Sequence, residues 1–217
     1  MKEMIPAINQ IKQLFPNKRN GRYIEIGAGP KGNSTYDFEH ELQWSGILVE
    51  PNKKSYEQLK QTRPNNTILN EVISCRPMVE FHSYLGDSIE MSAIPDDVPD
   101  ELAVLYYNDE IVLNEEKIVE ERETTTLSKI LNNHSMQYDF IVIDTNGNQL
   151  DVLESWDFKT EVQFIIIDLT NVELENSEKC EQHLSYYNYE YYDCIFMNDT
   201  MFDVYKKIEY VNKCLVS

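Results

Sequence analysis

The 217-residue chain carries 38 acidic against 19 basic residues, a formal net charge of −19, with 41% hydrophobic residues. That length suits a single α/β domain with a full-sized core. The charge argues against nucleic acid and anionic membranes as partners, since both bind through Lys and Arg that neutralise phosphate, and no apolar run approaches the roughly 20 residues of a membrane helix.

In chain order, Ile5, Ile8, Ile11 and Leu14 recur at helical spacing and predict a helix within residues 1–20. This amphipathic start lacks the continuous apolar stretch of a signal peptide. Arg22 to Ile26 reads as the first strand. Thr35 to Trp44 reads as a helix capped by Asn33 or Ser34, and Ile47 to Val49 as the second strand. A helix from Lys53 to about Gln61, a turn at Pro64-Asn65-Asn66 and a third strand over Thr67 to Ile73 follow. Val79 to Leu85 predicts an extra strand. The segment 86–123 is dense in acids, with Pro95 and Pro99 breaking any long helix. It reads as a solvated insertion or as a lid, with Leu102 to Val112 apolar enough for a strand.

Leu127, Ile130 and Leu131 predict a helix ending near Asn132-Asn133. "YDFIVID" and "VQFIIID" are nearly continuous apolar runs, as in central parallel strands, with a helix between them marked by Leu150, Val152, Leu153 and Trp156. A tyrosine-rich helix over 176–187 precedes "YYDCIFM", a turn at Asn198-Asp199 and "MFDVYKKI", an antiparallel hairpin. Alternating strands and helices give an α/β fold built on a mostly parallel sheet. No repeat or linker divides the chain, so residues 1–217 form one domain. Cys75, Cys180, Cys194 and Cys214 show no C-x-x-C spacing and are expected to be reduced thiols of a cytoplasmic protein, with no metal bound.

The chemistry gathers at strand ends. Gly27 to Gly32 reads G-x-G-x-x-G, the loop usually attached to dinucleotides. Glu25, however, stands two residues before the first glycine. A carboxylate there would repel a diphosphate, whereas S-adenosylmethionine carries a sulfonium and an ammonium that it would favour. Glu50 closes the second strand 18 residues after Gly32, where an acid bonds both hydroxyls of an adenosine ribose. Asp144 and Asp168 close two further strands, delivering carboxylates to one rim.

Residues 23–65 resemble the opening of an FkbM-type methyltransferase, a class I S-adenosylmethionine-dependent family. Trp44-Ser45-Gly46 and Val49-Glu50-Pro51-Asn52 match that family's ribose-acid region. "TTTLSKIL" resembles its T-L-D-D-L-L helix, and "YDFIVIDTNGNQLDVLESW" its D-x-E-G-x-E-x-x-V-L segment. The resemblance implies a Rossmann-like fold with a mostly parallel seven-stranded sheet, a C-terminal antiparallel hairpin and helices on both faces. It implies S-adenosylmethionine as cofactor and O-methylation of a sugar or other small hydroxylated acceptor. Glu25, Gly27, Ala28, Gly29, Glu50 and Pro51 would line the donor site. Val72 to Ser74, Ile73 above all, would lie near the adenine, and Asp144 would face the methionine end or the acceptor.

One departure bears on catalysis. Asn146 and Gln149 stand where the family commonly has glutamates, and amides take no proton at neutral pH. Three readings stand: the acceptor binds through the amides; another group, among His134, His82 and Asp144, is the base; or the chain is a methyltransferase-like binding or scaffold protein without turnover. Asp144 and His134 are the catalytic candidates.

Overall fold

The computed structural model describes residues 13–32, 34–86, 91–100, 103–104, 116–134, 137–169, 172–197 and 200–208. Five parallel strands form the centre: β1 (Arg22–Ile26), β2 (Ser45–Val49), β3 (Thr67–Leu69), β7 (Tyr138–Ile143) and β8 (Val162–Ile167). The hairpin of β9 (Tyr189–Met197) and β10 (Thr200–Lys207) completes a seven-stranded sheet in the order β3-β2-β1-β7-β8-β10-β9, with β10 antiparallel to β8. Strand order therefore reverses between β1 and β7, and in open α/β sheets the crevice beyond the strand ends at that point holds the ligand.

The near-continuous apolar strands are explained by burial on both faces. On one face Ile24, Ile141 and Ile165 pack with α3 (Leu127–His134), α4 (Gln149–Glu154) and α5 (Leu174–Tyr186) through Ile130, Val152 and Leu184. On the other, Tyr23, Leu48 and Phe140 meet Phe38 of α1 (Tyr36–Leu42) and Leu59 of α2 (Lys53–Thr62). Helices thus cover both faces, as expected. The Phe140 ring centres an aromatic group, 5.1 Å from Phe38 and 5.8 Å from both Trp44 and Tyr23.

Several expectations change in detail. The run Thr67 to Ile73 is not one strand. It breaks after Leu69, because the Asn70 side-chain amide donates to the carbonyls of Glu50 and Pro51, both at 2.8 Å, and turns the chain out of the sheet. The next two residues, β4 (Val72–Ile73), join a second sheet with β5 (Met78–Tyr84) and β6 (Lys117–Thr125), in the order β4-β6-β5. β6 therefore makes a strand of the end of the acidic segment, with Glu120, Glu121 and Glu123 in solvent. Helix α1 begins at Tyr36 rather than Thr35 and stops at Gln43, whose left-handed backbone (φ 60°) ends it. Ser34 is not its cap: the cap position is Thr35, whose hydroxyl is engaged elsewhere, and Asn33 lies outside the described residues. Most of the N-terminal helix and of the strand expected at Leu102 to Val112, the turn Asn198-Asp199 and Cys214 lie outside the described residues; Ala103 and Val104 of that expected strand are helical. Cys75, Cys180 and Cys194 are free thiols. Among the described residues no helix is long and apolar enough to cross a membrane.

Candidate functional site

Backbone hydrogen bonds carry the sheet past its strand ends and gather the carboxylates there. The N–H groups of Gly27 and Ala28 both donate to Val49 O, Glu50 N–H to Leu69 O, Asp144 N–H to Ile26 O and Asp168 N–H to Ile143 O. The glycine loop, Glu50, Asp144 and Asp168 consequently share one rim. Gly27 (φ 78°) is pressed against the Asp144 carbonyl; a Cβ there would stand 1.8 Å from that oxygen. That contact joins the β1 turn to the end of β7.

Glu50 is the centre of this rim. Its Oε2 accepts the Gly29 N–H at 2.7 Å and its Oε1 the Asn52 N–H at 2.7 Å. Asn52 is itself fixed, since its side-chain oxygen caps α2 by accepting from Lys54 and Ser55 N–H, and its amide donates to Tyr84 O. Each Glu50 oxygen thus has one partner and one lone pair left for a further donor. Burial, with Glu25 adding like charge, pushes the Glu50 carboxyl up to about 7 against the pull of the two N–H groups.

Glu25 is 1% exposed and faces its own loop. Its Oε1 accepts the Ser34 N–H at 3.2 Å and its Oε2 the Thr35 hydroxyl at 2.5 Å. These donors stand at the entry to α1, where a dinucleotide fold would place its diphosphate. An internal carboxylate already satisfies that entry. Burial raises the Glu25 pKa, and the Thr35 hydroxyl and the Arg63 charge oppose the rise.

The remaining candidates divide. Gly29 (φ 62°) has nothing within 4 Å of a built Cβ, so its outer side is open space beside Glu50. Ala28 is buried and packs with Leu48 and Phe38. Pro51 is half-buried, and its carbonyl accepts from Asn70 and from Arg122 at 3.1 Å. Ile73 is buried, and its carbonyl accepts the Asn148 side-chain amide at 2.8 Å. Asp144 is half-buried at the rim. His134 is not brought there: it ends α3 just ahead of the amino end of β7. His82 lies on β5, its ring bonded to Glu80 at 2.8 Å.

The amides at the two departing positions hold backbone. Asn146 donates to Ser92 O at 3.2 Å. Gln149, fully buried, donates through one nitrogen to Thr145 O and to Asp168 O, the latter at 2.8 Å, and so bolts the ends of β7 and β8 together. Among the described residues the Gln149 and Asn148 carbonyl oxygens and the Thr145 hydroxyl are buried without a partner. One group with metal-ligand chemistry exists among the described residues, Cys75, Asp151 and Glu154, whose ligand atoms lie within 4.8 Å of one another. Asp151 there is paired with Arg76 at 2.7 Å, and burial together with the neighbouring carboxylates pushes the Cys75 thiol up to about 11.

Sequence reasoning missed Asn52, Thr35 and Arg63. The N-cap pattern of Asn52 ahead of α2 was the available signal for the first; nothing in the sequence marks the other two.

The rim fits an adenosine-bearing ligand without phosphate. Glu50 offers two acceptor oxygens, Gly29 leaves space beside them, and the α1 entry is closed to an anion by Glu25. Comparison with known proteins bears on the same point. The family model described as Methyltransferase FkbM domain matches residues 25–196. No curated protein matches significantly. Among solved structures, the N-terminal domain of human METTL16 superposes with a TM-score of 0.52 at 12% identity, covering 93% of this chain and 68% of that one. A second METTL16 methyltransferase-domain structure gives 0.52 at 13%, covering 93% and 66%, so the chain spans about two thirds of that domain. The human methyltransferase 10 domain containing protein gives 0.50 at 11%, covering 94% and 79%. At such identities the likeness is one of fold, the Rossmann-like fold of class I methyltransferases.

Proposed function

Because the chain belongs to the FkbM methyltransferase domain family, with S-adenosylmethionine as its cofactor, we propose that it methylates a hydroxyl oxygen of a sugar or another small hydroxylated acceptor. The observation that carries this reading is the Glu50 carboxylate, fixed by Gly29 and Asn52 N–H and still able to accept from two ribose hydroxyls. The net charge of −19 disfavours a nucleic-acid acceptor.

S-adenosylmethionine supplies, when bound, a methyl carbon activated by its sulfonium. Glu50 holds the ribose and Gly29 lets the backbone approach it. Asp144, just past the end of β7 beside β1, takes the proton of the acceptor hydroxyl. Alignment of the two reactants supplies most of the acceleration, so one modest base suffices. The cofactor-side residues act in binding, and Gln149 and Asn146 act on the backbone.

A second reading, a donor-binding protein without turnover, is favoured by one observation: the amides at 146 and 149 are engaged with backbone and cannot act as bases. Incubation with methyl-labelled donor and a panel of carbohydrate and polyol acceptors separates the two. Label on oxygen is the expected result. Donor binding with no transfer to any hydroxyl supports the second reading instead.

The cradle has its own test. Gly29→Ala puts a methyl into open space and costs about 1 kcal/mol of backbone strain, so the protein is expected to stay folded. Its donor affinity is expected to fall about tenfold, a loss near 1.4 kcal/mol, read by calorimetry. Unchanged affinity would place the adenosine elsewhere.

A further inference from the structure

Beneath the glycine loop lies a buried charged residue. Arg63, the residue after α2, is fully buried. An arginine is rarely found so deep unless it is paired, and here all five of its N–H donors have partners. Nε donates to Glu39 Oε2 at 2.5 Å. One terminal nitrogen donates to the carbonyls of Gly32 at 2.7 Å and Lys31 at 3.2 Å. The other donates to the Tyr23 hydroxyl at 2.7 Å and the Thr35 hydroxyl at 3.1 Å.

The bonds have a direction. The Thr35 oxygen receives a proton from Arg63, so its own proton goes to Glu25 Oε2. Tyr23 likewise receives from Arg63 and donates to Asn66 Oδ1 at 2.9 Å. Glu39 also accepts from the side-chain amides of Asn65, on Oε1 at 3.0 Å, and of Asn66, on Oε2 at 2.6 Å. The third glycine of the motif belongs to this arrangement too: a Cβ on Gly32 would stand 2.3 Å from the Arg63 terminal nitrogen. Gly32 thus admits the guanidinium rather than a diphosphate.

We propose that Arg63 is a positioning residue for the S-adenosylmethionine loop: it holds the loop carbonyls at 31 and 32 and, through Thr35, holds the Glu25 carboxyl as an acceptor beneath the loop. It touches neither cofactor nor acceptor. Without it Glu25 and Glu39 would be two buried carboxylates with no cation beside them, and uptake of a proton would be favoured. The Arg63 charge works against the burial that raises the Glu25 pKa and so favours the ionised form, whose net negative charge under the loop prefers a sulfonium donor over its neutral product. The inference rests on the proposed donor site.

The test uses two full-length variants. Arg63→Lys keeps the cation but has three donors in place of five. The pair Arg63→Met with Glu39→Gln removes the ion pair without stranding either charge. Circular dichroism reports folding, and calorimetry reports affinity for S-adenosylmethionine and for S-adenosylhomocysteine. In the double variant S-adenosylmethionine affinity is expected to fall tenfold or more, with a smaller loss for S-adenosylhomocysteine, and in Arg63→Lys to be partly restored. A change in that ratio is what a purely structural role would not produce. Folded variants that bind both compounds within twofold of the wild type, or lose both equally, overturn the role of Arg63. Wild-type protein that binds neither compound overturns the donor site itself.

Discussion

Replacing Glu50 with alanine is expected to lower S-adenosylmethionine affinity on the order of a hundredfold. Two hydrogen bonds from ribose hydroxyls to a charged acceptor are lost, at about 1.5 kcal/mol or more each, and about 3 kcal/mol corresponds to about two decades in Kd. The loss has a second component, because Gly29 and Asn52 N–H lose their common acceptor and the cradle loosens. Glu50→Gln keeps one acceptor oxygen and is expected to fall between. The pH dependence has a definite sign. The Glu50 carboxyl is pushed up to about 7 in the folded protein from an ordinary value of 4.5. Between those values the folded state binds more protons than the unfolded, so this group's contribution to stability decreases as pH rises through that window. Donor affinity runs the other way: the ionised form is the better acceptor, so affinity rises with pH up to about 7 and then levels. Below that pH, binding releases a proton, which calorimetry at pH 6 in two buffers of different ionisation enthalpy reads directly. Equal heats in both buffers would show that Glu50 does not titrate on binding.

Gln149→Glu is expected to destabilise the protein by about 3 kcal/mol at pH 8, the cost of a buried charge whose partners cannot pair with it. The wild-type amide donates to Thr145 O and Asp168 O. A carboxylate in its place meets two carbonyl oxygens and repels both. The new carboxyl therefore takes a raised pKa, and the destabilisation is expected to shrink as the pH falls toward 5, where the protonated form can donate once. Urea unfolding at the two pH values measures it. A variant as stable as the wild type at pH 8 would mean that the carboxylate usual in the family is tolerated here, and that Gln149 does not bolt the two strands together.

Much of this was legible in the chain because burial on two faces writes itself as apolar runs. "YDFIVID" and "VQFIIID" could be little else than central strands, and the acids that follow them fall on one rim by topology alone. Glu50 was legible for the same reason, one helix and one strand past the glycines. The second sheet was not: "TILNEVI" is apolar at both ends, and the Asn70 side chain, reaching carbonyls at Glu50 and Pro51, breaks it in the middle. Glu25 was legible as a carboxylate ahead of the glycines, and the structure pairs it with Ser34 and Thr35 at the helix entry. Arg63 was invisible, since arginine is ordinarily a surface residue and its five partners come from four separate stretches of sequence. His134 shows the converse limit: residue type suggests chemistry, but only the fold says which end of the sheet it occupies.

The central claim is that a rim whose helix entry is closed by Glu25 and whose ribose acid is Glu50 takes a phosphate-free cationic nucleoside. Parallel calorimetric titrations of the wild-type protein with S-adenosylmethionine and with NAD test it most directly. The expected result is saturable heat from S-adenosylmethionine and none from NAD; tight NAD binding with no heat from S-adenosylmethionine would contradict it.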